Sequence, residues 1–245
     1  MEFIQNVKRE ELERAEILLE QAKPNVKLDI FDESTVASLK EAMDLFEKWE
    51  AEAKMAEVYE YWGNYQNKIK TYESALNYTQ KSLNIKLKLY GEHHLKIAES
   101  YYSMADYHGS LGNLSISKNY LEKSLKINTE ILGEANTLAV KIYNLFGSLC
   151  FYEEDYKSAV SYRQKGLYIL KKLESPAASL LEVLYCNLAA AYLMMGKYDD
   201  GETYLKLGLK LALKSVSPND SNLTSTYNNF GFLYMRIGDF RKSYQ

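Results

Sequence analysis

Histidine, cysteine, tryptophan and proline are all scarce in this chain of 245 residues, with three, two, two and three copies respectively. Metal ligands come in tight, spaced sets. Here His93 and His94 are chain neighbours in a turn, His108 stands alone, and Cys150 and Cys186 have no histidine nearby, so no metal is expected. Two cysteines give no disulfide framework and suit a reducing compartment. No stretch approaches the run of about 18 apolar residues that reads as a membrane-spanning helix, so no membrane insertion is expected. The opening MEFIQNVKREELERAE is too charged for a secretory signal and too acidic for a transit peptide. The sequons at Asn77, Asn113 and Asn222 are then coincidental, and a cytoplasmic location is the default expectation.

Catalytic signatures are missing as well. There is no Gly-x-Ser-x-Gly, no phosphate-cradling Gly-x4-Gly-Lys and no His-Glu-x2-His, and the glutamates fall at irregular intervals on exposed helix faces. The expectation is a protein that is not an enzyme and uses no cofactor. The net charge of −3 combines a balance of −6 over residues 1–51 with +3 over the rest. Neither is a concentrated basic field, and the lysines alternate with glutamates, which argues against nucleic acid as a partner.

What the chain does have is a period. Tyrosine stands at 59, 101, 143, 185 and 227, five times at a spacing of 42. A fixed period of this size marks a stacked repeat array. Three residues after each tyrosine comes a large apolar side chain (Trp62, Met104, Phe146, Leu188, Phe230), followed each time by a small one (Gly63, Ala105, Gly147, Ala189, Gly231). Gln66, His108, Cys150, Tyr192 and Tyr234 follow three further on. Offsets of 0, 3, 4 and 7 trace one face of a helix, and the small residue lets another backbone approach. A second helix carries Ala75, Ser117, Ala159 and Gly201, then Tyr78, Tyr120, Tyr162 and Tyr204, then Ser82, Ser124, Gly166 and Gly208. Glycine inside a helix costs roughly 1 kcal/mol against alanine, so Gly166 and Gly208 imply close packing. Breaks at 111–113, 153–155, 195–197 and 237–239 separate first helix from second, and Gly91, Gly133, Pro176 and Pro218 separate repeats. The units run roughly 52–93, 94–135, 136–177 and 178–219, with a fifth from 220.

Tyr227-x2-Phe230-Gly231-x2-Tyr234 and Tyr185-x2-Leu188-Ala189-x2-Tyr192 resemble the tetratricopeptide repeat, whose first helix carries W-x2-L-G-x2-Y. Tyrosine takes the tryptophan place. The second-helix pattern is looser, because Ala75, Ser117, Ala159 and Gly201 are followed four on by Thr79, Leu121, Arg163 and Leu205. A period of 42 exceeds the usual 34 by about one turn per helix, at 3.6 residues per turn. That longer form is similar to the kinesin light chain kind, as are Leu-Gly-Glu at 132–134, Gly-Glu-His-His at 91–94 and Tyr-Asn-Asn at 227–229. The resemblance implies an all-α, right-handed superhelical solenoid of antiparallel helix pairs.

Residues 1–50 do not fit the columns and are read as a divergent helical pair or cap for the apolar end of the array. An amphipathic helix is expected over about 3–22, then a loop from Lys23 to Glu33 containing Pro24. A second helix then starts near Val36 and runs on into the first repeat, since no Gly, Pro or Asn lies between Ser34 and Gly63. Sustained heptads are absent, which speaks against a dimerising coiled coil. The chain stops at Gln245, about five residues into the last second helix, and the expectation is that the natural protein continues.

In the family, the concave face of the first helices binds extended or short helical peptides, one and five residues after the tyrosine column. The resemblance places Glu60, Tyr102, Asn144, Cys186 and Asn228 there, then Asn64, Asp106, Ser148, Ala190 and Phe232. One turn on come Phe151, Tyr152, Leu193, Met194, Met235 and Arg236. Asparagine and serine pair with a peptide backbone, while aromatics and methionine adapt to side chains. The lysine-rich clamp of chaperone-binding members is missing, which argues against an acidic C-terminal tail as ligand. The tyrosine column itself is read as core. The resulting expectation is a scaffold or adaptor for a protein or peptide partner, within a larger cytoskeletal, transport or ciliary assembly. A peptide-sensing regulator and a purely structural subunit are the alternatives.

Overall fold

The computed structural model describes residues 2–215, 221–236 and 238. Among them are eleven helices and no strand: α1 (Glu2–Lys27), α2 (Glu33–Lys48), α3 (Glu52–Lys68), α4 (Tyr72–Tyr90), α5 (Leu95–Ser110), α6 (Leu114–Leu132), α7 (Thr137–Tyr152), α8 (Tyr156–Lys172), α9 (Ala178–Met194), α10 (Tyr198–Ser215) and α11 (Ser221–Arg236). The chain forms two compact units, Met1–Ile127 and Asn128–Gln245. The expected second helix of the last repeat lies outside the described residues.

Short local signals set the helix ends. Asp32, Asn136 and Asp155 cap α2, α7 and α8 by accepting the backbone N–H three residues on, at 2.7, 3.0 and 3.1 Å. The Thr35 and Ser34 donors hold the Asp32 carboxyl below its ordinary range. Within each repeat the turn needs one residue with positive φ, and it recurs every 42 positions: Lys70 (61°), Gly112 (78°), Glu154 (63°), Gly196 (71°) and Gly238 (77°). The next residue's N–H then reaches back to the helix end, as in Thr71 to the Gln66 carbonyl and Asp155 to the Cys150 carbonyl, each at 2.9 Å.

Two expectations for the N-terminal segment fail. The first helix does not stop at residue 22 but runs through Pro24 to Lys27. Proline removes one helical hydrogen bond, yet Ala22 and Val26 are buried beside Leu19, Leu39 and Phe46, and that burial carries the helix on. Nor does the second helix continue into the first repeat. It ends at Lys48 with Trp49 as its cap, because Glu50 turns to φ 54° and the Ala51 N–H closes onto the Phe46 carbonyl at 3.0 Å. That turn folds α3 back so that Val58 and Trp62 join the α1–α2 core.

The tyrosine columns pack in pairs across each repeat. Ring centroids of Tyr59 and Tyr78 lie 6.0 Å apart, Tyr101 and Tyr120 5.7 Å, Tyr143 and Tyr162 6.5 Å, Tyr185 and Tyr204 6.0 Å. Tyr59, Tyr143 and Tyr185 are buried, Tyr101 is half-buried and Tyr227 is exposed. A lysine column that sequence reading passed over covers three of these pairs: Lys81 lies 5.2 Å from Tyr59, Lys123 5.4 Å from Tyr120 and Lys165 4.5 Å from Tyr143. Its 42-residue spacing was there to be read.

The small-residue columns are where helices meet. A Cβ on Gly147 would come 3.0 Å from the Ala159 carbonyl, and one on Gly208 3.0 Å from Cys186 Sγ. His108 stacks on Tyr120 at 5.6 Å, a packed histidine whose pKa burial lowers.

Candidate partner-binding face

In each unit, successive first helices lie side by side, and polar side chains bridge them. In the first unit the Tyr107 hydroxyl donates to Asn64 Oδ1 at 3.2 Å, from α5 to α3. In the second, Asn187 Nδ2 donates to Asn144 Oδ1 at 3.1 Å, from α9 to α7. Both bridges span 43 positions, one repeat plus one residue, so within its own unit each joins near-equivalent positions of successive first helices.

On the first unit's face, Lys86 of α4 is 3% exposed and reaches up to Glu60 Oε2 at 2.7 Å and Ser100 Oγ at 3.0 Å. It forms the floor of a cleft of about 380 Å³ walled by Glu57, Glu60, Tyr61, Tyr90, Lys96 and Glu99. Tyr102 and Asp106 are half-buried. Burial raises the Asp106 pKa, and burial together with that carboxyl pushes the Tyr102 phenol up.

The second unit's face is built differently. Asn144 is tied to Asn187, and Ser148 Oγ donates to the Asn144 carbonyl at 3.2 Å. Beneath them runs Arg163 of α8, 3% exposed. Its stem crosses Gly147, where a Cβ would sit 2.7 Å from Arg163 Cγ. Its guanidinium lies 5.4 Å from the Phe151 ring, Nη1 donates to the Asn187 carbonyl at 2.7 Å, and Nη2 reaches Ser148 Oγ at 3.5 Å. Burial lowers its pKa to about 10. Sequence reading saw Arg163 only as a poor match in a repeat column. A charged residue where Leu121 and Leu205 stand in neighbouring repeats was the signal.

The other expected face residues scatter in exposure. Tyr152, Met194 and Met235 are exposed at the ends of α7, α9 and α11. Asn228 and Arg236 are exposed and Phe232 is half-buried, with the Arg236 guanidinium 5.1 Å from its ring. Phe151 is half-buried and meets Tyr156 edge-on at 5.2 Å. Cys186 is half-buried, its sulfur 3.2 Å from Thr226 Oγ1, and burial raises its pKa. Leu193 corrects the expectation: at 3% exposure it belongs to the core with Ala189, Leu205 and Leu233. Gly201, where a Cβ would lie 2.6 Å from Leu193 Cδ2, leaves the space that the leucine fills.

Paired helices at this spacing, tyrosine against tyrosine over a small-residue seam, decide the fold. It is a tetratricopeptide-repeat fold. Residues 54–130 match the tetratricopeptide repeat family model. The quorum sensor NprR from B. thuringiensis superimposes with a TM-score of 0.71 and 16% identity over 97% of this chain and 62% of that one. NprR with its cognate peptide NprX gives 0.66 at 16% identity, over 85% and 59%. BtubC from P. vanneervenii gives 0.60 at 18% identity, over 88% of this chain and 92% of that one. Kinesin light chain repeats from Podosopora anserina, described as nearly identical and TPR-like, give 0.59 at 15% identity, over 78% and 89%. Among curated proteins, none matches the sequence. No helix among the described residues is long and apolar enough to cross a membrane.

Proposed function

We propose that this tetratricopeptide-repeat chain is a non-catalytic scaffold or adaptor that docks a peptide or partner subunit on the first-helix face. The observation that carries this reading is the composition of that face in the second unit. The bridged amides of Asn144 and Asn187 lie on α7 and α9, two successive first helices that each end in an exposed apolar side chain, Tyr152 and Met194. Amides can hold a peptide backbone and aromatic or thioether groups adapt to varied side chains, while exposed apolar groups gathered on one face favour an occupant. The 42-residue period and the kinesin light chain likeness support placing the partner in a cytoskeletal, transport or ciliary assembly in the cytoplasm.

The test is selection from a peptide library displayed on phage. The chain should enrich a defined sequence class, and a variant with Asn144, Asn228 and Phe232 all changed to alanine should lose it while keeping its helical circular dichroism. No enrichment, or equal enrichment by the variant, overturns the reading. Peptide-sensing regulation is the second reading, favoured by the likeness to NprR, which was solved with its cognate peptide. Small-angle scattering separates the two: a sensor contracts on adding the selected peptide and a static adaptor does not.

A further inference from the structure

Arg163 poses a problem that packing does not answer. Burying a guanidinium is costly unless an opposite charge or a full set of acceptors compensates. Among the described residues no carboxylate pairs with it; its partners are the Asn187 carbonyl, the Ser148 hydroxyl and the Phe151 ring. Nε is buried and has no acceptor at all. Nη1 is well held at 2.7 Å, whereas Nη2 reaches Ser148 only at 3.5 Å. Nε and Nη2 share the edge of the planar fork that takes a carboxylate through two parallel bonds. The poorly used edge is therefore the one suited to a bidentate anion: its Nη2 end reaches half-buried Ser148, while its Nε end is buried against Gly147.

We propose that Arg163, with the Ser148 hydroxyl, forms an anion subsite in the floor of the α7–α9 face and takes a carboxylate group of the docked peptide. This rests on the peptide-docking reading of that face and adds a chemical requirement to it. The cation comes from the second helix, beneath the face, rather than from a clamp of lysines on the first helices. Ser148 accepts from the guanidinium while it donates to the Asn144 carbonyl. An arriving carboxylate takes over that donor and the idle Nε–H, so the charge gains its counter-ion only in the complex.

The experiment follows the Arg163 Nε–H resonance in the nitrogen-15-labelled full chain, assigned by its disappearance in Arg163→Lys. Three probes are titrated: N-acetyl-glycyl-glycine, with a main-chain carboxylate; N-acetyl-aspartate amide, with a side-chain carboxylate; and N-acetyl-asparagine amide, which is neutral. A saturable shift with either acid and none with the neutral amide supports the subsite, and the responding acid identifies the source of the carboxylate. Ser148→Ala removes only a half-buried hydroxyl and should weaken the response about three- to tenfold. No shift with either acid, or the same shift with the neutral amide, overturns the proposal and leaves Arg163 a packing residue. If phage selection enriches peptides while the acids give no shift, docking survives and the anion subsite falls. If the acids shift the resonance but no peptide is enriched, the docking reading falls instead.

Discussion

The Ser82 hydroxyl donates to the carbonyl of Ala56 at 2.7 Å, from the middle of α4 into the middle of α3. One repeat later Ser124 does the same to Ala98 at 2.6 Å. In the next repeat the position is Gly166, and a Cβ there would sit 3.4 Å from the Val140 carbonyl. The same seam is thus closed by a hydroxyl in one unit and by bare backbone in the other. Ser82→Ala should therefore destabilise the first unit by about 1 kcal/mol through loss of one buried hydrogen bond, read from the urea midpoint.

Glu60 and Lys86 should respond unequally to mutation. Lys86 is almost fully buried while the Glu60 side chain is 39% exposed. Glu60→Gln leaves a buried ammonium without its anion and should cost about 1–3 kcal/mol. Lys86→Met returns the carboxylate to water and should cost less. Equal losses in chemical denaturation would contradict this account.

The turn column predicts gains. Lys70 and Glu154 hold φ of 61° and 63° where Gly112 and Gly196 stand in neighbouring repeats. Left-handed backbone is strained for residues with a Cβ, so Lys70→Gly or Glu154→Gly should stabilise by about 0.5–1 kcal/mol. A raised melting temperature checks it.

Leu193 should behave as core. Leu193→Ala is expected to cost about 2–5 kcal/mol of stability. Met194→Ala, at an exposed neighbour, should leave stability unchanged and weaken peptide capture.

Asp106 gives a pH dependence. Burial raises its folded-state pKa, so the folded chain holds the proton more tightly than the unfolded chain. Stability from this group is then present at low pH and is lost as pH rises from the unfolded pKa through the raised folded value. Asp106→Asn should remove that loss and make the chain more stable than wild type at neutral pH. Paired denaturation curves at acidic and neutral pH measure it.

Period and composition alone determined a great deal. Columns at 42-residue spacing put tyrosine, large and small residues on one helical stripe, because a stacked array repeats its contacts at the period of its sequence. Helix pairs, turns and the core role of Tyr59, Tyr143 and Tyr185 follow from that. The tertiary structure decided what breaks the period. Pro24 stays helical because Ala22 and Val26 are buried around it, and Glu50 stops a helix that has no breaker in its sequence. Leu193 turns inward because Gly201, eight residues on, makes room. Arg163 lies under the face because Gly147, on another helix, lets its stem pass. Each depends on the space a residue elsewhere in the chain leaves open, and that space exists only once the helices have packed.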